Sequence, residues 1–408
     1  MFDYDVIIAG ASFAGLAVAN QLRGFRVLLI DRKPVGSGQT SACGTILQVL
    51  RYWDLEQTVL RTQDRLVLHT HWGSYPFDSP YPWCTFDYQL LCKTLFERSG
   101  AEFLQAAVSH TEGETVYTNR GEPRARCVVD ATGWRAVLAS SIAPNFARGS
   151  MNFGVETIRP LPGREPLRPD ALHFWYLPKD VDGGVGWVFP RRETASIGLA
   201  SYFGATHLRQ PLKTFVGRFN EHPDGLHGTY FPHTFRSPTA RRVFVVGDAA
   251  GMCLGLTGEG IRPAMFFGEA CGRTIRRILT GQITLEAGLG EYAAFVNARK
   301  PFFQFFSGAQ AVLARVPARW IDGIARVIRE KPLRPWVLDQ YWGFTRSWSE
   351  FIQQGDNTRD KPNHSTRENG HDHARDNQPR VCCLSRGGDS RPTFPAATPL
   401  CDTVVGRN

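Results

Sequence analysis

The chain lacks the features of a disulfide-rich, zinc-binding or membrane-spanning protein. Its nine cysteines are scattered and odd in number, and no Cys-x-x-Cys pair occurs, so we expect neither a disulfide framework nor a metal site. No apolar run reaches the roughly 18 residues that suggest a membrane span. The first buried strand is predicted from Tyr4, which leaves no room for a signal peptide. A cytoplasmic location with reduced thiols is therefore expected.

A fixed internal repeat and a nucleic-acid motif are also missing, whereas positive charge is in excess. The formal net charge of +9 suggests an anionic partner. Residues 299–346 contain nine Lys or Arg, three acidic residues and nine aromatic residues. That mixture favours a peripheral membrane surface over nucleic acid as the partner. The alternative is that the apolar stripe of a helix over 317–329 simply faces the core.

The chain does contain, at its start, the pattern of a nucleotide-binding unit. Residues 4–31 are typical of a strand, a glycine-rich turn, a helix and a second buried strand. Gly10 permits a sharp turn, Gly15 permits close helix packing, and the helix N-terminus offers free N–H groups to a pyrophosphate. Ser12 stands where Gly-x-Gly-x-x-Gly has its middle glycine, and Asp31 is placed to accept ribose hydroxyls. The alternative is a βαβ unit without a ligand.

Two later glycine-rich loops each follow a buried strand. They are DATGWRA at 130–136 and GDAAGMCLGLTGEG at 247–260. Loops at the carboxyl ends of parallel strands face one crevice, so we expect both to meet the first turn.

The remaining patterns predict an α/β protein with several regions. Their types and bounds are as follows: a Rossmann-like dinucleotide-binding domain from 1–60, 86–145 and 240–300, with a helical stretch from about Thr45; an inserted, mainly antiparallel substrate-binding sheet from 61–85 and 146–239; a C-terminal helical layer from 301–354; and a disordered tail from 355–408. Short connections favour antiparallel pairing in the inserted sheet. The tail has too few large apolar residues to form a core.

The order of the three loops resembles the FAD-dependent oxidoreductases of the para-hydroxybenzoate hydroxylase fold. The resemblance implies bound FAD, with Asp248 on its ribityl or phosphate region and Gly247 and Gly251 permitting close approach. It also implies a helix beginning at Gly258 to Gly260 whose N-terminus points at the flavin pyrimidine end. Such a dipole would stabilise negative charge on the reduced flavin.

Within that superfamily, residues 1–300 are most similar to the geranylgeranyl reductase family. Three stretches carry the similarity: QTSACGT, GGVGWVFP and GDAAG…LTGEGI. The chain departs from the family where Val185 replaces the tyrosine of YxWxFP, where Gly255 replaces a proline, and where DATGW replaces the commoner ADG sequence.

The family resemblance implies reduction of isoprenoid C=C bonds, by a hydride from the flavin and a proton from another group in a dry pocket. Cys43 is the implied catalytic residue, as proton donor or flavin neighbour; the alternative is a buried inert thiol. Trp187 and Phe189 alternate with Val188 on a strand and would line a prenyl pocket, although ordinary sheet core fits the same pattern. Tyr176 completes the substrate-binding candidates.

The cofactor-binding candidates come from the three loops, the end of the second strand and the Cys43 loop. They are Gly10, Ser12, Phe13, Ala14, Gly15, Asp31, Arg32, Cys43, Gly44, Thr132, Gly133, Gly247, Asp248, Gly251, Gly258 and Gly260. The expected electron donor is NADPH or a ferredoxin. Three rival activities stay open: a group A hydroxylase, a flavin-dependent halogenase and a redox-silent cyclase or isomerase.

Overall fold

A computed structural model describes residues 2–163, 167–176, 181 and 183–329. The strands are β1 (Tyr4–Ala9), β2 (Val27–Asp31), β3 (Gly44–Ile46), β4 (Val59–His69), β5 (Ser74–Phe86), β6 (Glu102–Gln105), β7 (Val108–Glu112), β8 (Thr115–Thr118), β9 (Ala125–Asp130), β10 (Met151–Pro160), β11 (Ala171–Tyr176), β12 (Gly184–Pro190), β13 (Thr194–Ser201), β14 (His227–Pro232), β15 (Thr239–Ala240) and β16 (Val243–Val245). The helices are α1 (Phe13–Asn20), α2 (Leu47–Tyr52), α3 (Tyr88–Ser99), α4 (Val137–Ile142), α5 (Arg209–Gly217), α6 (Ile261–Leu279), α7 (Leu285–Asn297), α8 (Lys300–Leu313) and α9 (Ala318–Arg329). The predicted tail at 355–408, and 330–354 of the predicted helical layer, lie outside the described residues.

The first sheet aligns the carboxyl ends of its central strands. Its order is β15-β16-β9-β1-β2-β6, and every pairing except β15 with β16 is parallel. Ala9 at the end of β1 pairs with Ile30 on one side and with Asp130 on the other, while Val245 also pairs with Asp130. The loops after β1, β9 and β16 therefore leave the sheet at one edge, as the Rossmann-like prediction requires.

Helices α1 and α6 pack closely against each other beside this edge. A Cβ atom added to Gly268 of α6 would lie 2.6 Å from the backbone oxygen of Ala14 in α1. Only glycine permits that approach, and it sets the start of α6 near the start of α1. None of the described helices is both long and apolar enough to cross a bilayer.

The second sheet separates a small core from the loops of the first. Its order is β14-β10-β13-β12-β11-β4-β5-β3, and its pairings are antiparallel except that β11 runs parallel to β4. Buried Val188 and Ile197 on one face pack with Leu212 and Phe215 of α5. The opposite face is free to meet the edge of the first sheet.

The helix predicted from about Thr45 begins instead at Leu47. Residues Gly44–Ile46 form β3, in which Thr45 pairs with Cys84 of β5. Thr45 and Ile46 are β-branched and favour extended backbone, and β5 provides a neighbouring strand with free hydrogen-bonding groups. β3 thus joins the second sheet, although it falls in the range predicted for the dinucleotide-binding domain. The domain bounds themselves stay a prediction.

Candidate active site

The first turn is packed so tightly that both of its ends require glycine. Gly10 has a φ of +112°, and a Cβ atom there would overlap the backbone oxygen of Ala131. A Cβ atom on Gly15 would overlap the backbone oxygen of Gly10 itself. The turn after β1 is therefore pressed against the loop after β9.

Ser12 and Asp31 place a hydroxyl and a carboxylate beside the N-terminus of α1. Ser12 is the N-cap residue of α1 but makes no side-chain capping bond, and its Oγ lies 3.1 Å from Oη of Tyr88. The Asp31 carboxylate accepts the Ala11 N–H at 2.9 Å and the Lys33 N–H at 3.0 Å. The helix N-terminus is thus not capped by its own serine, and a fixed carboxylate stands beside it.

The second loop is held by a buried carboxylate. Asp130 accepts hydrogen bonds from the Thr132 N–H at 3.0 Å, the Thr132 hydroxyl at 2.7 Å and the Ala139 N–H at 2.8 Å. Burial raises the pKa of Asp130, and these bonds oppose the rise. The Thr132 hydroxyl also accepts the Val137 N–H at 2.7 Å. Thr132 therefore shapes the loop that presents Gly133.

The third loop meets the first turn through Gly247. A Cβ atom on Gly247 would lie 2.8 Å from Cβ of Ala14. The next residue, Asp248, is half-buried, and its desolvation raises its pKa to about 6 while Arg236 opposes the rise. The loop ends at Gly260, the N-cap residue of α6.

Arg236 ties the second and third loops together. Its guanidinium, only 6% exposed, donates to the backbone oxygens of Trp134 at 2.9 Å, Asp248 at 3.4 Å, Ala249 at 3.3 Å and Ala147 at 2.9 Å. Burial lowers its pKa, and the nearby carboxylates oppose that shift. Nothing in the local sequence distinguishes this arginine from the exposed ones.

A cavity of about 750 Å³ lies between the three loops and the second sheet. Twelve of the predicted site residues line it: Ser12, Phe13, Ala14, Cys43, Gly44, Gly133, Trp187, Phe189, Gly247, Asp248, Gly258 and Gly260. Much of the remaining wall is aromatic or aliphatic, including Phe174, Phe231 and Leu256. The cavity wall is thus largely apolar over the second sheet.

The remaining predicted residues are not part of the described cavity wall. Gly10, Gly15 and Thr132 shape the loops, as described above. A Cβ atom on Gly251 would overlap the backbone oxygen of Thr234, so this glycine serves packing. The Asp31 carboxylate accepts the Ala11 N–H of the turn, and Arg32 is exposed with its carbonyl accepting from Gln105 at 3.3 Å.

Tyr176 is directed to a helix end and is not among the described lining residues. Its hydroxyl donates to the backbone oxygens of Leu313 at 3.3 Å and Val316 at 2.8 Å. These bonds cap the end of α8, whose Leu313 does line the cavity. Tyr176 therefore acts on the wall indirectly, by holding α8.

Strand β12 directs Trp187 and Phe189 at the cavity and Val188 away from it. Val188 is fully buried in the second core, whereas its two neighbours are half-buried and line the cavity. The Phe189 ring lies 3.1 Å from where a Cβ atom of Gly44 would stand. The Trp187 indole N–H donates to Oε2 of Glu156 at 3.1 Å.

Cys43 lies at the cavity in a constrained backbone conformation. Its φ is +55°, it is fully buried, and its Sγ lies 3.3 Å from the backbone oxygen of Ser41. Burial raises the pKa of the thiol well above its usual value, and the neighbouring Glu156 adds to the rise. The thiol therefore keeps its proton at neutral pH.

Sequence reasoning missed a Glu–His pair in the same wall. His227 Nε2 lies 2.7 Å from Oε1 of buried Glu156, and both residues line the cavity. The hydrogen bond to Glu156 raises the pKa of His227, and burial opposes it. The one available signal was an acidic residue inside the apolar strand β10, but its partner lies 71 positions away.

The donor set and space fit FAD. The Thr257 Oγ1, in the third loop at the cavity wall, is buried and has no hydrogen-bond partner within the described residues. A buried hydroxyl normally has a partner, and a polar ligand that reaches Thr257 would supply one. Uncapped N–H groups at α1, the Asp31 carboxylate and the apolar space complete a cradle for pyrophosphate, ribose and flavin.

Comparisons with known proteins agree with this geometry. No protein-family model matches the chain. It is 26% identical over 233 residues to the digeranylgeranylglycerophospholipid reductase of Thermoplasma volcanium, covering 52% of this chain and 56% of the relative. It is 28% identical over 337 residues to digeranylgeranylglycerophospholipid reductase 3 of Methanosphaera stadtmanae, covering 72% and 83%. The match thus spans only about half the length of the first relative.

Solved structures share the fold. A geranylgeranyl bacteriochlorophyll reductase-like protein of Thermoplasma acidophilum superposes with a TM-score of 0.71 at 17% identity, covering 80% of this chain and 92% of that one. The chain is thus similar in sequence to named digeranylgeranylglycerophospholipid reductases and in fold to a geranylgeranyl bacteriochlorophyll reductase-like protein. A probable FAD-dependent monooxygenase from Pseudomonas aeruginosa, PqsL, also superposes, with a TM-score of 0.58 at 17% identity and coverage of 76% and 95%. The chain shares the para-hydroxybenzoate hydroxylase-like fold of these solved structures.

Two departures from the geranylgeranyl reductase pattern lie at the cavity. Val185 and Gly255, which replace a tyrosine and a proline of the family, both line it. A Cβ atom on Gly255 would contact His233, 2.8 Å away, so a larger residue there would need space that this chain does not provide. Both departures therefore act on the shape of the cavity wall.

Proposed function

We propose that the protein is an FAD-dependent reductase that saturates C=C bonds of an isoprenoid substrate. The observation that carries the proposal is the cavity itself. One side is built by the three loops that fit FAD, and the other by the aromatic face of β12. The substrates in the names of the two relatives are isoprenoid lipids as well.

The proposed FAD contacts follow from the groups around the cavity. The N-terminal amides of α1, at Phe13 and Ala14, would bind the pyrophosphate, and Asp31 would bind the ribose. Asp248 and Thr257 would bind the ribityl chain and flavin edge. Bound FAD, once reduced, would supply a hydride from its N5.

The other proposed roles belong to residues around the apolar space. Trp187 and Phe189 would orient the isoprenoid chain and exclude water, which the chemistry requires. Cys43 would provide the proton, since its thiol lies in the cavity wall and the Ser41 carbonyl fixes its Sγ. The FAD would be reduced by NADPH binding transiently or by a ferredoxin.

Anaerobic turnover with a geranylgeranyl lipid tests the proposal. We expect the purified protein to be yellow and, after reduction with dithionite, to convert the lipid to a product heavier by two hydrogens per double bond, as read by mass spectrometry. Product that forms only with oxygen and carries an added oxygen atom would instead identify a hydroxylase, the reading that the PqsL likeness favours.

Replacement of Cys43 by alanine tests its proposed role. We expect turnover to fall about 100-fold or more, the lower range for loss of a general acid, with the flavin spectrum unchanged. The matched control is Cys92→Ala, because Cys92 is a buried thiol that does not line the described cavity. Unchanged turnover in the Cys43 variant would remove the thiol from the mechanism.

A further inference from the structure

Exposed apolar side chains are concentrated on one part of the surface. In the described part of the chain nine large apolar side chains are exposed, and five of them belong to α8 and α9: Phe305, Val312, Trp320, Ile324 and Val327. Two more adjoin these helices. Trp72 lies in the β4–β5 turn that bonds to α9, and Phe203 lies under the Arg315 guanidinium of the segment after α8, at 5.2 Å. A cluster of seven of nine indicates an interaction surface.

Helix α9 presents one apolar face to the protein and another to solvent. Ile321 and Ala325 are buried, whereas Trp320, Ile324 and Val327, at spacings of four and three residues, share an exposed face. The helix is firmly seated, because Asp322 accepts the Thr70 hydroxyl at 2.8 Å and pairs with Arg326 at 3.0 Å. The second face is therefore exposed even though α9 is packed against the rest of the protein.

The positive charge of this surface favours an anionic bilayer over a second copy of the chain. Between residues 300 and 329 the chain has five Lys or Arg and one carboxylate, Asp322, which is buried and paired. A second copy docked face to face would bring two such cationic surfaces together. Anionic headgroups would instead complement the arginines while Trp320 and its neighbours enter the apolar boundary.

The surface is continuous with the candidate active site. Phe305 lines the cavity and is 51% exposed, so it stands at the cavity mouth. Phe306, Ala309 and Leu313 of the same helix line the interior. An apolar chain leaving a bilayer at α8 would therefore meet only apolar side chains of this helix on its way inward.

We propose that α8 and α9 form a peripheral docking surface for an anionic lipid bilayer, from which the substrate chain enters past Phe305. The entry of the substrate chain past Phe305 rests on the proposed function, whereas the docking of α8 and α9 to a bilayer does not.

Flotation of the FAD-loaded full chain with vesicles tests the docking without substrate. We expect binding to phosphatidylglycerol–phosphatidylcholine vesicles, about tenfold weaker binding to pure phosphatidylcholine vesicles, and loss of binding at high salt. The double variant Trp320→Ser, Ile324→Ser should bind the anionic vesicles at least about tenfold more weakly, since two apolar side chains no longer enter the lipid. Arg319→Gln should weaken binding only to the anionic vesicles.

Matched controls come from exposed residues elsewhere. Leu90→Ser, Leu226→Ser and Arg120→Gln alter exposed side chains away from α8 and α9, and they should float like the wild type. Failure of the wild type to float with anionic vesicles, or equal flotation of the double variant with an unchanged melting temperature, would overturn the docking. The docking would also be overturned if light scattering showed that the wild type is a dimer and the double variant a monomer. The surface would then bind a second copy of the chain. Failure of lipid reduction alone would leave flotation intact and reject only the proposed function.

Discussion

Thr257 allows a direct test of whether the cavity binds FAD. Its buried hydroxyl has no partner within the described residues, so Thr257→Val removes an unsatisfied polar group from the apoprotein but a ligand contact from the complex. We expect FAD binding to weaken about fivefold to tenfold, the effect of one lost hydrogen bond, while the apoprotein is equally or more stable. Fluorescence titration of FAD and thermal unfolding measure the two effects.

Thr94→Val is the control for this prediction. Thr94 lies on α3 and its hydroxyl donates to the Leu90 carbonyl at 2.8 Å, so its replacement should not alter FAD affinity. If Thr257→Val binds FAD as the wild type does, the hydroxyl does not face the cofactor.

The Glu156–His227 pair predicts a pH dependence of stability with a definite sign. The pKa of His227 is raised in the folded state by its bond to Glu156, so the stabilisation is complete below the unfolded pKa of about 6.5 and is lost as pH rises through the folded value. Glu156→Gln should therefore lower the melting temperature more at pH 6 than at pH 9, with a difference of about 2 °C or more.

Circular dichroism melts of the FAD-loaded proteins between pH 6 and 9 measure this difference. Glu122→Gln, at an exposed position, should show a flat profile. A gap between wild type and Glu156→Gln that stays constant or widens with rising pH would mean that the pair is not charged in the native protein.

At the scale of elements, Arg236 decides how the second and third loops meet. Lysine keeps the charge but cannot reach four carbonyl oxygens with a planar fork. Arg236→Lys should lower the free energy of unfolding by about 2–3 kcal/mol, because buried carbonyls lose their donors, and should weaken FAD binding. Denaturant unfolding and FAD titration test this, with Arg120→Lys as an exposed control. Unaltered FAD affinity would show that the loops hold their positions without Arg236.

Elements with a clear period were predictable, and elements set by distant partners were not. The apolar runs of β1 and β9 and the apolar stripe of α9 indicate their structures locally; β1 begins at the predicted Tyr4, and α9 covers Ala318–Arg329 within the predicted 317–329. Thr45 and Ile46 are extended because they pair with β5, a strand some 40 residues later in the chain. The Glu156–His227 pair spans 71 positions and the Arg236–Trp134 contact spans 102, so no local pattern indicates them.

At the scale of the whole molecule, the cavity exists only because the two sheets meet. Its wall combines Ser12 after β1, Gly247 after β16 and Trp187 on β12, and none of these elements encloses space alone. The convergence of the loops was predictable, since each glycine-rich loop follows the carboxyl end of a strand predicted to be buried. The apolar part of the wall was only partly predictable from the sequence. Alternation on β12 shows that the strand has two faces, but not which of them meets the cofactor.

Binding of FAD should therefore protect distant segments together. Hydrogen exchange of the apoprotein with and without FAD should slow in peptides covering 10–15, 130–136 and 247–260, because one ligand contacts all three loops. At 100 times its dissociation constant FAD adds about 2.7 kcal/mol to stability, so global opening slows too. The β7–β8 hairpin, which does not line the described cavity, is the reference for that global effect. Extra protection confined to one of the three segments would mean that the loops do not bind a common cofactor.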